Sequence, residues 1–171
     1  MNSKTTKRMP SKKDIGQMLR RKGVIFTKEE GGFVEFDFSR IENEKAIYGL
    51  SGYLLRKMPH LHYDMVVGFL SDNSSLSRVI TEQIKPKRHC FVSQDDNVSV
   101  ALEKFKTTKK INILLVKALI KDGEIDEWDN FYQLNESIQK ISVVAIADGR
   151  SFPYENSLEV FSLIDRDQIH I

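Results

Sequence analysis

Lys117, Lys121, Asp122 and Glu124 crowd into one short stretch, "VKALIKDGEID" at residues 116–126, directly after an apolar run. The run reads as a buried strand and the residues after Gly123 as the start of a helix. In α/β proteins that junction, at the C-terminal end of a strand, is where ligands sit. The helix N-terminus there attracts anions. Two carboxylates in the same loop oppose a phosphate, because unit charges ~4 Å apart interact by about 1 kcal/mol in water and about 4 kcal/mol near a protein surface. Lys121 offsets part of this repulsion. The plain reading of the same residues is helix-start chemistry: Asp122 caps the helix, while Glu124 and Asp126 complement its dipole.

Other reactive side chains are sparse. His60 and His62, in "PHLHYD", are able to share a strand edge and a metal. Nothing at ligand spacing joins them, and a polar turn before a strand accounts for both, so no metal is expected. His89 and Cys90 open an apolar segment, which favours a packed thiol over a nucleophile. No Ser or Cys triad motif occurs. The N-terminal stretch is strongly basic: Lys4, Lys7, Arg8, Lys12, Lys13, Arg20, Arg21 and Lys22 face one acid, Asp14. Such a segment either contacts nucleic acid, with Lys7, Arg8, Lys12, Lys13, Arg20, Arg21 and Lys22 as the candidate residues, or is a solvated terminus.

With 171 residues, 40% of them hydrophobic and 29% charged, the chain has the length and composition of one soluble domain. No apolar run approaches the ~20 residues that span a bilayer. A single cysteine rules out an internal disulfide and fits a reducing compartment, so a cytoplasmic protein without membrane contact is expected.

The elements that must position the charged loop follow from periodicity. Residues 1–10 read as a basic flexible tail and 11–171 as one domain. Ser11 caps a helix over "KKDIGQMLRRK" that Gly23 stops, with Ile15, Met18 and Leu19 on one face. "VIFTKE" and "GFVEFDFSRI" form a hairpin. "EKAIYGLSGYLLRKM" is a helix with Ile47, Leu50, Tyr53 and Leu54 inward. Strand and helix then alternate: "DMVVGFL", "SSLSRVITEQI", "RHCFVS", "INILLVKALI". A helix over "EIDEWDNFYQLNESIQK" carries Ile125, Trp128 and Ile138 inward. "ISVVAIAD" and "LEVFSLI" complete the strands, and "VSVALEKFK" fits helix or loop equally. This order predicts a mostly parallel sheet wrapped by helices on both faces.

The layout from about residue 12 onward resembles the type I phosphoribosyltransferases, and orotate phosphoribosyltransferase in particular. The resemblance implies an α/β domain with a small N-terminal hood (about 11–42) and a core (about 43–171). It makes "DMVVGFLSDNSS" the strand and loop for pyrophosphate, with Ser71, Asp72, Asn73, Ser74 and Ser75 in the loop. "RHCFVSQDDNVS" becomes the approach to the mobile catalytic loop, and "INILLVKALIKDGEID" the segment that holds phosphoribosyl pyrophosphate (PRPP). Lys28 corresponds to a hood lysine.

The binding groups of the family are not in place. Its acidic pair for the ribose hydroxyls corresponds to Lys117 and Ala118. Its hydroxyl-rich phosphate loop corresponds to Lys121, Asp122, Gly123, Glu124 and Ile125. Ser93 and Gln94 stand where the family has an Arg-Lys pair, and the loop after them is acidic. The sequence therefore predicts a catalytically inactive phosphoribosyltransferase-like domain without a cofactor, a binding or regulatory module that contacts another protein or pairs as a homodimer. A divergent phosphoribosyltransferase, or another enzyme of nucleotides or sugar phosphates, is the alternative. In it Lys117 and Lys121 meet phosphate, and Asp122 or Glu124 carries Mg²⁺. Nucleic-acid binding through the basic N-terminal segment is the second alternative.

Overall fold

The computed structural model describes residues 8–28, 34–41, 45–59, 62–70, 74–93, 109–153 and 156–169. Helix α1 (Lys12–Arg21) starts at a capping box. Ser11 Oγ accepts the Asp14 N–H at 3.2 Å, and the Asp14 carboxylate accepts the Ser11 N–H at 3.0 Å. Such a cap contributes about 1 kcal/mol. Strands β1 (Ile25–Thr27) and β2 (Val34–Phe36) form an antiparallel hairpin. The predicted second strand is cut short, because Phe38–Ile41 turns into a 3-10 helix. Asp37 Oδ1 accepts the Ser39 N–H at 3.1 Å, a local bond that competes with the strand ladder. Phe38 and Ile41 are buried there.

Helix α2 (Lys45–Lys57), β3 (Met65–Phe69), α3 (Ser74–Ile84) and β4 (Arg88–Val92) follow. Next come β5 (Ile111–Ile120), α4 (Glu124–Leu134), β6 (Ile138–Asp148), β7 (Glu159–Asp165) and a closing turn of helix, α5 (Arg166–Ile169). The five-stranded sheet runs β4-β3-β5-β6-β7, and every pairing in it is parallel. Residues 94–108, which include "VSVALEKFK" and the acidic loop, lie outside the described residues.

The alternation along each strand divides the core in two. Val66, Leu114, Val116, Val144, Ile146 and Leu163 face α1, α2 and α3, in one cluster with Ile15, Leu19, Ile47, Leu50 and Leu54. Met65, Val67, Ile113, Leu115, Val143 and Ala145 face the other way, toward Ile125 and Trp128 of α4. Central strand β5 is wholly buried at Ile113, Leu114 and Leu115. Each such side chain contributes about 1.5–3 kcal/mol, so the sheet centre dominates stability. Gly68 lets α3 and β4 close on β3: a Cβ there would meet Ser77 Oγ at 2.5 Å and Phe91 at 2.8 Å.

One helix boundary differs from the sequence expectation. Helix α4 stops at Leu134, and Ile138 starts β6 opposite Ile111 instead of lining the helix. Asn135 is the reason: its backbone is extended, and its side-chain amide donates to the Phe131 carbonyl at 2.7 Å, satisfying the last turn.

Candidate functional site

Parallel strands place their C-terminal ends side by side, so the loops after β3, β5 and β6 share one edge of the sheet. The β5–α4 loop turns at Gly123, whose φ of 86° lies in the left-handed region that suits glycine. This loop brings Lys117, Ala118, Lys121, Asp122, Gly123 and Glu124 together. Ala118 is buried in the core on the α2 side. Lys117 points to the α4 side, with only 7% of its side chain exposed.

The polar groups of this edge are engaged with one another. Lys117 Nζ donates to Glu124 Oε1 at 3.0 Å and lies 4.6 Å from the centre of the Phe69 ring. That ring packs on Trp128 at 5.6 Å. The second oxygen of Glu124 accepts the Lys121 backbone N–H at 2.8 Å. One carboxylate thus occupies both a loop amide and a buried ammonium, the donors an incoming anion would need.

Asp122 does not cap α4, contrary to the sequence expectation. Gly123 is the N-cap, with no side-chain cap bond. The Asp122 carboxylate instead accepts the Ser151 N–H at 2.7 Å and the Ser151 hydroxyl at 2.8 Å, tying the β5–α4 loop to the loop after β6. Those two bonds from Ser151 hold its carboxyl below the ordinary carboxylate value. The next pair is deeper: Arg150 Nη2 donates to Asp148 Oδ2 at 2.7 Å and Nε to Oδ1 at 2.9 Å. Both of these side chains are about nine-tenths buried, at 10% and 12% exposed.

Phe69, Asp148, Arg150 and Ser151 are the members of the site that sequence reasoning missed. The available signal was Asp-Gly-Arg-Ser directly after a strand, which parallel topology brings beside the β5–α4 loop. Between the loops lies a cleft of about 360 Å³ bordered by Asp122, Gly123, Ile125, Asp126, Arg150, Ser151 and the exposed ring of Phe152.

The remaining predicted residues are dispersed. Ser71, Asp72 and Asn73 lie outside the described residues, while Ser74 and Ser75 open α3. Ser93 follows β4, and Gln94 lies outside the described residues. Lys28 is ion-paired with Glu35 across the hairpin. Of the basic N-terminal residues, Lys7 lies outside the described residues. Lys12 pairs with Asp165, and Arg20 donates to the Ile169 carbonyl at 2.5 Å. Arg8, Lys13, Arg21 and Lys22 are exposed. His62 lies 3.7 Å from Asp64, whose carboxylate also takes the Lys87 ammonium at 3.0 Å; His60 lies outside the described residues. Among the described residues no three His, Cys, Asp or Glu side chains gather as metal donors, and no helix is long and apolar enough to cross a membrane.

Comparison with solved structures places this architecture among phosphoribosyltransferases. A phosphoribosyltransferase from Corynebacterium diphtheriae superposes with a TM-score of 0.64 at 12% identity, covering 95% of this chain and 100% of that one. UMP synthase from Leishmania donovani gives 0.61 at 10% identity over 94% of this chain, which spans only 37% of that enzyme. Orotate phosphoribosyltransferase from Aeropyrum pernix gives 0.57 at 11% identity, covering 91% and 95%. Identities this low speak to the fold alone. No protein-family model matches the chain, and no curated protein matches it in sequence.

Proposed function

Starting from the phosphoribosyltransferase-like fold, we propose that the chain is catalytically inactive and serves as a binding or regulatory module, contacting another protein or a second copy of itself. The observation that carries this reading is the double engagement of Glu124. Its carboxylate holds the Lys121 amide at 2.8 Å and the Lys117 ammonium at 3.0 Å. A PRPP phosphate would have to displace it and then sit beside it. Position 118 adds no hydroxyl-binding acid, and Asp122 is committed to Ser151.

The enzyme alternative draws on the same residues. Phosphate at Lys117 or Mg²⁺ at Asp122 or Glu124 would first have to break those contacts. Nucleic-acid binding through the basic segment has less to draw on, with Lys12 and Arg20 already engaged.

Thermal unfolding with PRPP, with and without Mg²⁺, tests the reading. A ligand at a hundred times its Kd stabilises by about 2.7 kcal/mol, roughly 5–10 °C for a chain of this size. We expect no shift. A shift of that size with PRPP, in either magnesium condition, would overturn the proposal.

A further inference from the structure

On the far side of the fold's core from α4, helices α1 and α2 leave a groove of about 570 Å³ between them. Met18, Ala46, Gly49, Leu50 and Tyr53 form its floor and walls, and Lys22 and Lys45 border it. No acidic residue lines it. The stretch of α2 from Lys45 to Tyr53 is about 12 Å long, or roughly two helical turns. Gly49 gives the groove its depth: a Cβ built there meets nothing within 4 Å. A mid-helix glycine is unfavourable relative to alanine, and no internal packing requires this one. Arg56 lies over the Tyr53 ring at 5.7 Å and adds positive charge at one end.

We propose that this groove docks an acidic amphipathic segment of a partner protein, about two turns of helix. Its apolar face would lie over Gly49 and its carboxylates would meet Lys22 and Lys45. The inference rests on the binding-module reading and gives that module a surface and a partner chemistry. The mostly apolar lining favours a peptide over nucleic acid, whose affinity comes chiefly from many phosphate contacts. A second copy of the chain is the other candidate occupant, and the test includes it.

The test is selection of displayed random peptides on the intact protein, followed by fluorescence anisotropy of the winners. Expected are peptides with apolar residues at i, i+3 or i+4, and i+7, flanked by Asp or Glu, whose affinity falls as salt rises. Lys22→Glu with Lys45→Glu should weaken them about tenfold, and Lys110→Ala should not. Gly49→Leu should abolish binding by filling the floor; the charge variants sit at exposed positions and cover the case in which it fails to fold. The proposal is overturned if the winners lack acids, or if they bind both groove variants as well as the parent. Tight binding of single-stranded RNA that the charge variants abolish would also overturn it. So would a dimer in sedimentation that Gly49→Leu dissolves. None of these outcomes bears on PRPP binding, so this proposal and the inactive-enzyme reading fail separately.

Discussion

The C-terminal edge of the sheet and the α1–α2 groove both present charge next to apolar surface, but they dispose of it in opposite ways. At the sheet edge each charge has an opposite or a hydrogen-bonding partner within the same edge: Lys117 with Glu124, Arg150 with Asp148, Asp122 with Ser151. In the groove, Lys22 and Lys45 border an apolar floor without a carboxylate in the lining. Burial explains the contrast. Lys117, Asp148 and Arg150 are cut off from water, where an unpaired charge costs several kcal/mol. The groove lysines keep their heads in solvent and need no internal counter-ion. Enzyme-like position in the fold is therefore a poor guide to binding here, because the edge that holds ligands in similar folds is internally satisfied.

The largest effect that would break this contrast is at the buried pair. Asp148→Ala leaves Arg150 without its carboxylate and should lower stability by about 3–5 kcal/mol, read from urea denaturation. Replacing both, Asp148→Leu with Arg150→Met, should recover most of that loss, since two apolar groups leave no stranded charge. A double variant as unstable as the single one would mean that the pair does more than satisfy itself.

A smaller effect sharpens the groove side. Gly49→Ala removes backbone freedom from the unfolded chain and adds a Cβ that meets nothing, so it should stabilise by about 0.5–1 kcal/mol. A destabilised variant would show that the floor is tighter than the contacts indicate.

The smallest is a pH effect at the exposed Asp122. Its folded pKa lies below the ordinary 3.8 because Ser151 favours the charged form. Its contribution is therefore complete above the ordinary value and fades as pH falls through the folded one. Between about pH 5 and pH 1 the parent should lose more stability than Asp122→Asn, measured as the slope of the urea midpoint against pH. Equal slopes would remove Asp122 from the closure of the edge.

What the sequence determined by itself was the order of elements and the loop that matters. Apolar runs with period 2 or 3.6, Ser11 before a basic helix and Gly23 after it specify strands and helices locally, and the alternation that follows specifies a parallel sheet. Local rules also produced the two misplacements: Asp37 and Asn135 each divert the backbone by a side-chain bond that periodicity does not register. Only the tertiary structure decided which partner each loop charge takes. Asp122 is a good helix cap in isolation, yet Ser151, 29 residues away, offers it two donors at once. Glu124 turns back to Lys117 because that ammonium is buried against Phe69, a residue on a neighbouring strand. Composition reveals how many charges a loop carries; which of them remain available to a ligand depends on what the neighbouring strands bring within reach.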